Sequence, residues 1–403
     1  MGLNVEKIRQ DFPVLQKMIH NKPIIYFDNA CMTMRPVQVI EKIKEYYMEY
    51  PACGDRSLHK LGKRVDEEVS KAKELVKKFI NAKDAKELIL TKNTTEGINL
   101  VANSLALKPG DVVLGTDKEH NSNLLPWQRL APKGVVYDYA ESDEDGSFSL
   151  DNFRRKLNKK VRLVAMVMSS NMDGTSIPAK EIVKIAHDNG SLVLFDGAQA
   201  VPHHEVDMRK LDVDFLAFSG HKMMGPTGTG ILYGKQHLLE ELSPFLVGGG
   251  TVIDSTHTTA KYEEAPHKFE AGLQDYAGII GLGEAANYIM KTGRDNIEKQ
   301  ETMLNKVVTA ELADMVSILG PKDAAKRSGI FSFNAGSADP HEIAMMLDQM
   351  ENICVRSGAH CVHSWFNAHN MRGSVRASFY LYNTPEECRK FVDTLKMVMK
   401  IVK

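Results

Sequence analysis

The stretch VDFLAFSGHKMMGPTGTG, residues 213–230, runs from a largely apolar segment into a glycine-rich turn that carries Lys222. The segment is short, lacks helical spacing and stops at Gly220, so it reads as a strand buried on both faces. The preceding apolar run, GSLVLFD (190–196), ends in Asp196 and passes into GAQAV with Gln199. Further upstream, VRLVAMVMSS (161–170), DVVLGT (111–116) and ELILT (87–91) repeat the form, each bounded by turn or cap residues. Helical stretches separate them, and PVQVIEKIKEYYMEY (36–50) and GKRVDEEVSKAKELVKKFI (62–80) precede them. The alternation predicts βα units and an α/β fold, with a largely parallel sheet buried on both faces.

Beyond residue 235 the pattern changes. VGGGTVIDSTHTT (247–259) reads as a loop, and residues 279–315 as one or two long helices. The tail mixes strands (GIFSFNA, ICVRSG, SVRASFYLY) with helices (PHEIAMMLDQM, PEECRKFVDTLKMVMKIV), which predicts a smaller α+β C-terminal domain. The expected division is an N-terminal arm (1–20) packing on the small domain, a large domain (21–265), and interface helices with the small domain (266–403).

The site residues follow from that sheet. In a parallel α/β sheet, ligands bind beyond the carboxyl ends of the strands. Asp196 and Lys222 fall there on neighbouring runs. A lysine beside a strand-end carboxylate suits a cofactor held as a Schiff base, whose heterocyclic nitrogen the carboxylate keeps protonated; this describes pyridoxal 5′-phosphate. In TKNTTEGINL (91–100) the strand ends at Thr91 and a helix starts over Asn93 to Thr95, so Thr94 and Thr95 offer hydroxyls and free amides to a phosphate. Ser219 and His221 add donors, and His120, after DVVLGT, stands at the same edge. Taken singly, each residue has a structural explanation as a cap, a solvated loop residue or a satisfied core group.

The 403 residues carry 51 basic and 52 acidic side chains, a net charge of −1, which gives no electrostatic reason to expect nucleic acid or an anionic membrane as partner. MGLNVEKIRQDFPVL has charges where a signal peptide is apolar, and Glu6 breaks a myristoylation pattern. No apolar run is long enough to span a bilayer. A soluble, cytoplasmic protein is expected, with its five cysteines reduced.

Eight segments together resemble the cysteine desulfurases: YFDNA (26–30), TTEGINLVAN (94–103), EHNSNLLPWQ (119–128), DGAQAVPH (196–203), SGHKMMGPTGTGIL (219–232), FEAG (269–272), RSGAHC (356–361) and VRASFYLYNT (375–384). More narrowly they resemble the group II, sulfur-mobilisation type of the class V, fold-type I pyridoxal-phosphate enzymes, which implies a large domain with a mostly parallel, seven-stranded-type sheet between helices and a smaller α+β C-terminal domain. The resemblance implies Lys222 as the Schiff-base lysine, Asp196 at the pyridine nitrogen, Gln199 at the phenolic oxygen and His120 stacked on the ring. It implies phosphate binding by Thr94, Thr95, Ser219 and His221, and Asn171 near ring and substrate. Arg376 would clamp a substrate carboxylate, with Arg356 and Arg56 as further candidates. It further implies conversion of L-cysteine to L-alanine with sulfur passing to Cys361 as a persulfide, then to an acceptor protein for iron–sulfur or other sulfur metabolism. A homodimer is implied, each site completed by the partner's FEAG loop. Three positions depart from relatives: Leu273 where many carry threonine after FEAG, Asp55 where histidine is common, and VHSW after Cys361.

Alone, Cys361 in RSGAHCVHSW admits three readings: nucleophile, metal ligand with His360 and His363, or buried hydrophobe. On an extended segment adjacent residues point apart, and no spacing completes a tetrahedral set, so no metal is expected. Other readings of the whole are a selenocysteine lyase, another C–S lyase or an aminotransferase on the same cofactor, or a non-catalytic binding protein. Cys31 and Cys53 lie near the expected crevice; Cys354 and Cys388 read as packed thiols.

Overall fold

The computed structural model describes residues 3–55 and 57–402; Arg56, an expected substrate residue, lies outside them. Seven strands form one sheet: β1 (Leu88–Thr91), β2 (Val112–Thr116), β3 (Val136–Ala140), β4 (Val161–Val167), β5 (Leu192–Asp196), β6 (Phe215–Ser219) and β7 (Gly230–Gly234). Their spatial order is β1-β7-β6-β5-β4-β2-β3, and only β7 runs against its neighbours. Successive side chains of a strand point to opposite faces. In β4, Val164 and Met166 therefore enter one apolar cluster while Leu163 and Ala165 enter the other. Both faces are covered, which is why these strands read as continuous apolar runs. Burial of each large aliphatic side chain contributes about 1.5–3 kcal/mol.

Two strands are not among the runs picked out in the sequence. β3 is a half-exposed edge strand whose polar residues dilute the pattern, and β7 starts inside the glycine-rich stretch. Residues 247–259, expected as a loop, instead contribute to a hairpin of Val252–Ser255 with Ala260–Tyr262. Its turn is closed by Thr256 N–H donating to the Thr259 carbonyl at 2.8 Å, so the threonines act as turn residues.

Helices α1 (Val37–Glu49), α2 (Lys60–Ile80), α3 (Thr94–Ser104) and α4 (Asn121–Gln128) precede β4, and α5 (Tyr276–Thr292) and α6 (Arg294–Leu312) follow the hairpin. Gly293, at φ +85°, separates the last two, so residues 279–315 resolve into two helices rather than one. A second, antiparallel sheet comprises β8 (Ser317–Ile318), β9 (Ile330–Asn334), β10 (Arg356–Gly358) and β11 (Ser374–Ser378), in the order β8-β9-β11-β10. It shares an apolar core with α6, α7 (Pro340–Glu351) and α9 (Pro385–Ile401), built on Leu304, Ile343, Phe331, Phe333 and Phe391. A short strand, Ile25–Tyr26, pairs with Ile353–Cys354, and Asp28 bridges to Ser378. This carries residues 28–31 between the two sheets. Near the N-terminus, Arg9 forms an ion pair with Glu387 of α9 at 2.7 Å, while Phe12 packs on Tyr288 and Tyr382.

Candidate active site

The ends of β5 and β6 lie side by side, so Asp196 and Ser219 share one edge, and a single 3-10 turn over Gly220–Lys222 brings His221 and Lys222 to it. Desolvation lowers the Lys222 ammonium below its usual range, with Asp196 opposing. Desolvation likewise raises the Asp196 carboxyl, with Lys222 opposing; one oxygen accepts the Ala198 N–H at 2.9 Å. The N-terminus of α3 reaches this edge because Gly230 has no side chain: a Cβ there would stand 2.7 Å from Asn93 Cα. Thr94 N–H then donates to Ser219 Oγ at 2.8 Å, and their hydroxyls are 2.6 Å apart. Thr95 pairs with Ser122 at 2.7 Å, and Gln199 is pinned to the Ala30 carbonyl at 2.7 Å.

His120 caps α4, its Nδ1 accepting the Ser122 N–H at 3.1 Å, so the neutral ring carries its proton on Nε2. Desolvation first, then Lys222, Arg376 and Arg356, push its pKa down to about 3. Burial and Lys222 similarly push His221 down to about 4. Both rings are neutral at physiological pH.

The small domain closes the other wall. Arg376, on β11 and 2% exposed, donates from Nη1 to the Asn171 carbonyl (2.8 Å) and from Nη2 to Asp28 Oδ1 (3.2 Å). Its buried Nε has no partner among the described residues. Opposite it in register on β10 stands Arg356, whose Nη1 donates to Cys31 Sγ at 2.8 Å. Cys361 sits on a tight turn, not an extended segment: Val362 N–H bonds the Ala359 carbonyl at 2.8 Å, and His360 and Cys361 have φ of +50° and +61°. Such left-handed pairs are costly for non-glycine residues. The turn is held from outside, as Asn171 Nδ2 donates to the His360 carbonyl (2.7 Å) and Asn121 N–H to the Cys361 carbonyl (2.8 Å). Val362 of VHSW and the Phe366 that follows it anchor the turn, buried with Met172 and Leu319 where α8 (His363–Ala368) begins.

Lys222, Asp196, Gln199, His120, Thr94, Thr95, Ser219, His221, Asn171, Arg356, Arg376 and Cys361 all line one cavity of about 220 Å³. Cys31 lines it too, whereas Cys53 is exposed and lies outside its lining. His360 is a buried support rather than a cation beside the thiol: burial, then Arg376 and Arg356, push it down to about 2, and Nε2 pairs with Ser374 at 2.8 Å. Among the described residues no three His, Cys, Asp or Glu side chains gather to hold a metal ion.

Asp28 and Glu119 were missed as functional positions. Asp28 follows the short strand Ile25–Tyr26, and that strand-end placement in YFDNA was the available signal. Glu119 is 1% exposed and accepts from the Thr116 N–H and hydroxyl, Asn123 and the Val167 N–H, tying β2, β4 and α4 together behind His120. Desolvation pushes it up to about 8, although every one of these partners is a donor that favours the carboxylate.

The aminotransferase class-V family matches residues 25–391. The chain belongs to the aminotransferase class-V family. A probable cysteine desulfurase of Halalkalibacterium halodurans is 38% identical over 391 residues, 96% of this chain and 95% of that protein. The apo structure of the cysteine desulfurase from Thermococcus onnurineus superposes with a TM-score of 0.92 at 39% identity, covering 98% of each chain. The S-sulfonic acid form of the cysteine desulfurase CsdA from Escherichia coli gives 0.91 at 29% identity over the full length of both.

This class-V family is pyridoxal-phosphate dependent. The donor set here fits that group: a desolvated lysine and a strand-end carboxylate share the cavity with the paired Thr94 and Ser219 hydroxyls at a helix N-terminus. Arg376 Nε and Asn171 Oδ1, without partners among the described residues, remain for a ligand with donor and acceptor atoms.

Proposed function

We propose that this protein is a pyridoxal-phosphate-dependent cysteine desulfurase that converts L-cysteine to L-alanine and retains the sulfur on Cys361. The observation that carries the reading is the Cys361 thiol, braced on a strained turn and lining the same cavity as Lys222, Asp196 and Arg376. The cofactor would be held by Lys222, Asp196, Gln199 and His120, with Thr94, Thr95, Ser219 and His221 at its phosphate. When bound it supplies an aldehyde for the substrate amine and a ring that withdraws electrons from Cα.

This chain's residues do the rest. Arg376 Nε takes a substrate carboxylate, while Nη1 and Nη2 each already hold one protein partner. Lys222, desolvated so that its neutral amine is accessible, removes and returns the Cα proton. Neutral His120 has an Nε2–H to donate. The Cys361 thiolate forms the new S–S bond as the substrate C–S bond breaks; the electron pair of that bond stays with Cβ, which takes up a proton, leaving alanine and Cys361–S–SH.

The five cysteines are free thiols, which supports a cytoplasmic setting. No described helix is long and apolar enough to cross a membrane. Exposed Leu246, Val247, Ile253 and Leu273, around the hairpin and FEAG, support a homodimer whose partner covers them. A sulfur-acceptor protein receives the product. The test is alanine formation by the cofactor-loaded protein with L-cysteine, with persulfide mapping. Alanine release and a Cys361 persulfide, both lost in Cys361→Ser, are expected; a Cys361→Ser protein that forms alanine at the wild-type rate would refute the reading.

A further inference from the structure

Residues 28–31 place two sulfur- and oxygen-bearing side chains against the paired arginines of the small sheet. Arg356 and Arg376 are cross-strand partners, and like charges directly opposite one another repel. Asp28 answers Arg376. Among the described residues the Arg356 guanidinium has a single hydrogen-bond partner, the Cys31 sulfur. The guanidinium N–H lies 2.8 Å from that sulfur, so the thiol has a cationic hydrogen-bond donor as its neighbour. The Cys31 backbone is itself anchored: Ala30 N–H donates to Ser378 Oγ at 2.9 Å, its carbonyl takes Gln199, and Cys31 N–H reaches the Asp28 carbonyl at 3.1 Å.

Cys31 and Cys361 line the same cavity, together with Lys222. That cavity is also furnished for a ligand: Arg376 Nε, Asn171 Oδ1 and His360 Nδ1, on side chains 2%, 5% and 4% exposed, have no partner among the described residues. Both thiols are half-buried, Cys361 on its braced turn and Cys31 fixed by its loop and its arginine. The desulfurase reading gives the first thiol a persulfide but assigns nothing to the second.

We propose that Cys31 is a second sulfur-carrying thiol, which takes the outer sulfur of the Cys361 persulfide and frees Cys361 for another turnover; this rests on the desulfurase reading above. The Cys31 thiolate attacks the outer sulfur of Cys361–S–SH and forms a new S–S bond. The old S–S bond breaks with its electron pair on Cys361, which leaves as thiolate. The proton Cys31 gave up returns to Cys361, and no oxidant or reductant is consumed. Arg356 stabilises the Cys31 sulfur before and after transfer.

The experiment incubates the cofactor-loaded wild-type protein with L-cysteine and no acceptor, quenches over a time course with an alkylating agent, and maps both cysteine peptides by mass spectrometry while counting alanine. Persulfide is expected first on Cys361 and then on Cys31, with an alanine burst about twofold that of Cys31→Ser. Cys361→Ser is expected to carry persulfide on neither residue. Alanine formation with persulfide confined to Cys361, and equal bursts in wild type and Cys31→Ser, would overturn the relay while leaving the desulfurase reading intact. A Cys31–Cys361 disulfide with release of hydrosulfide would overturn it too, since the inner sulfur would then be the target. Absence of alanine would bring down the desulfurase reading and the relay with it.

Discussion

Replacing Arg376 by lysine separates the guanidinium fork from its charge. In the native site Nη1 and Nη2 hold the Asn171 carbonyl and Asp28, and Nε is left for a ligand. An ammonium reaches from one point, so keeping Asp28 sacrifices the contact to a substrate carboxylate. A hydrogen bond to a charged group contributes about 1.5–3 kcal/mol. At about 1.4 kcal/mol per decade this is a roughly 10- to 150-fold rise in KM for L-cysteine. The orphaned Asn171 carbonyl costs a further ~1–3 kcal/mol of stability, so the variant is first shown to be folded by circular dichroism and denaturant unfolding. Alanine formation then gives KM for L-cysteine, and cysteamine, which keeps the amine and thiol but lacks the carboxylate, is measured as a competitor. The expected result is a raised KM with the cysteamine inhibition constant little changed. A KM within about twofold of wild type would refute the carboxylate clamp, and equal losses for both compounds would trace the effect to general damage at the site.

Asp196→Asn keeps an oxygen for the Ala198 N–H but loses the negative charge; the variant is expected to bind cofactor, seen by its absorbance, with turnover lower by about 100-fold or more, and near wild-type turnover would refute the assigned role. Glu119→Gln places an amide among hydrogen-bond donors and leaves at least one buried donor unpaired. A loss of about 1–3 kcal/mol in denaturant unfolding is expected, and unchanged stability would refute the bracing role. His360 is held down to about 2, while an unfolded histidine titrates near 6.5. As pH falls below about 6.5 the unfolded chain binds a proton that the native ring refuses, so stability is lost at up to about 1.4 kcal/mol per pH unit. His360→Gln is expected to flatten the stability–pH curve over that acid range, and parallel curves for the two proteins would refute the neutral, buried ring.

The sheet was legible because its causes are local. β4, β5 and β6 are buried on both faces, so they show as apolar runs, and strand ends advertise their chemistry in Asp196 and Lys222. Where burial is one-sided or glycine intervenes the signal fades, as at β3 and β7. The role of Cys361 came from the resemblance; its immediate neighbours left three readings open. Nothing local announces the left-handed turn there, since neither His360 nor Cys361 is the glycine or asparagine that such a turn favours. Its conformation is imposed from elsewhere, by Asn121 and Asn171.

Composition and periodicity thus determined an α/β chain with a lysine and a carboxylate at adjacent strand ends, because those features depend on neighbours a few residues away. The second wall of the cavity was decided only by tertiary structure. Asp28 meets Arg376 across 348 residues, and Cys31 meets Arg356 across 325. No pattern along the chain encodes such pairings. They arise because the segment from Ile25 to Cys31 runs between two distinct sheets, and the like-charged arginines of one sheet take their partners from it.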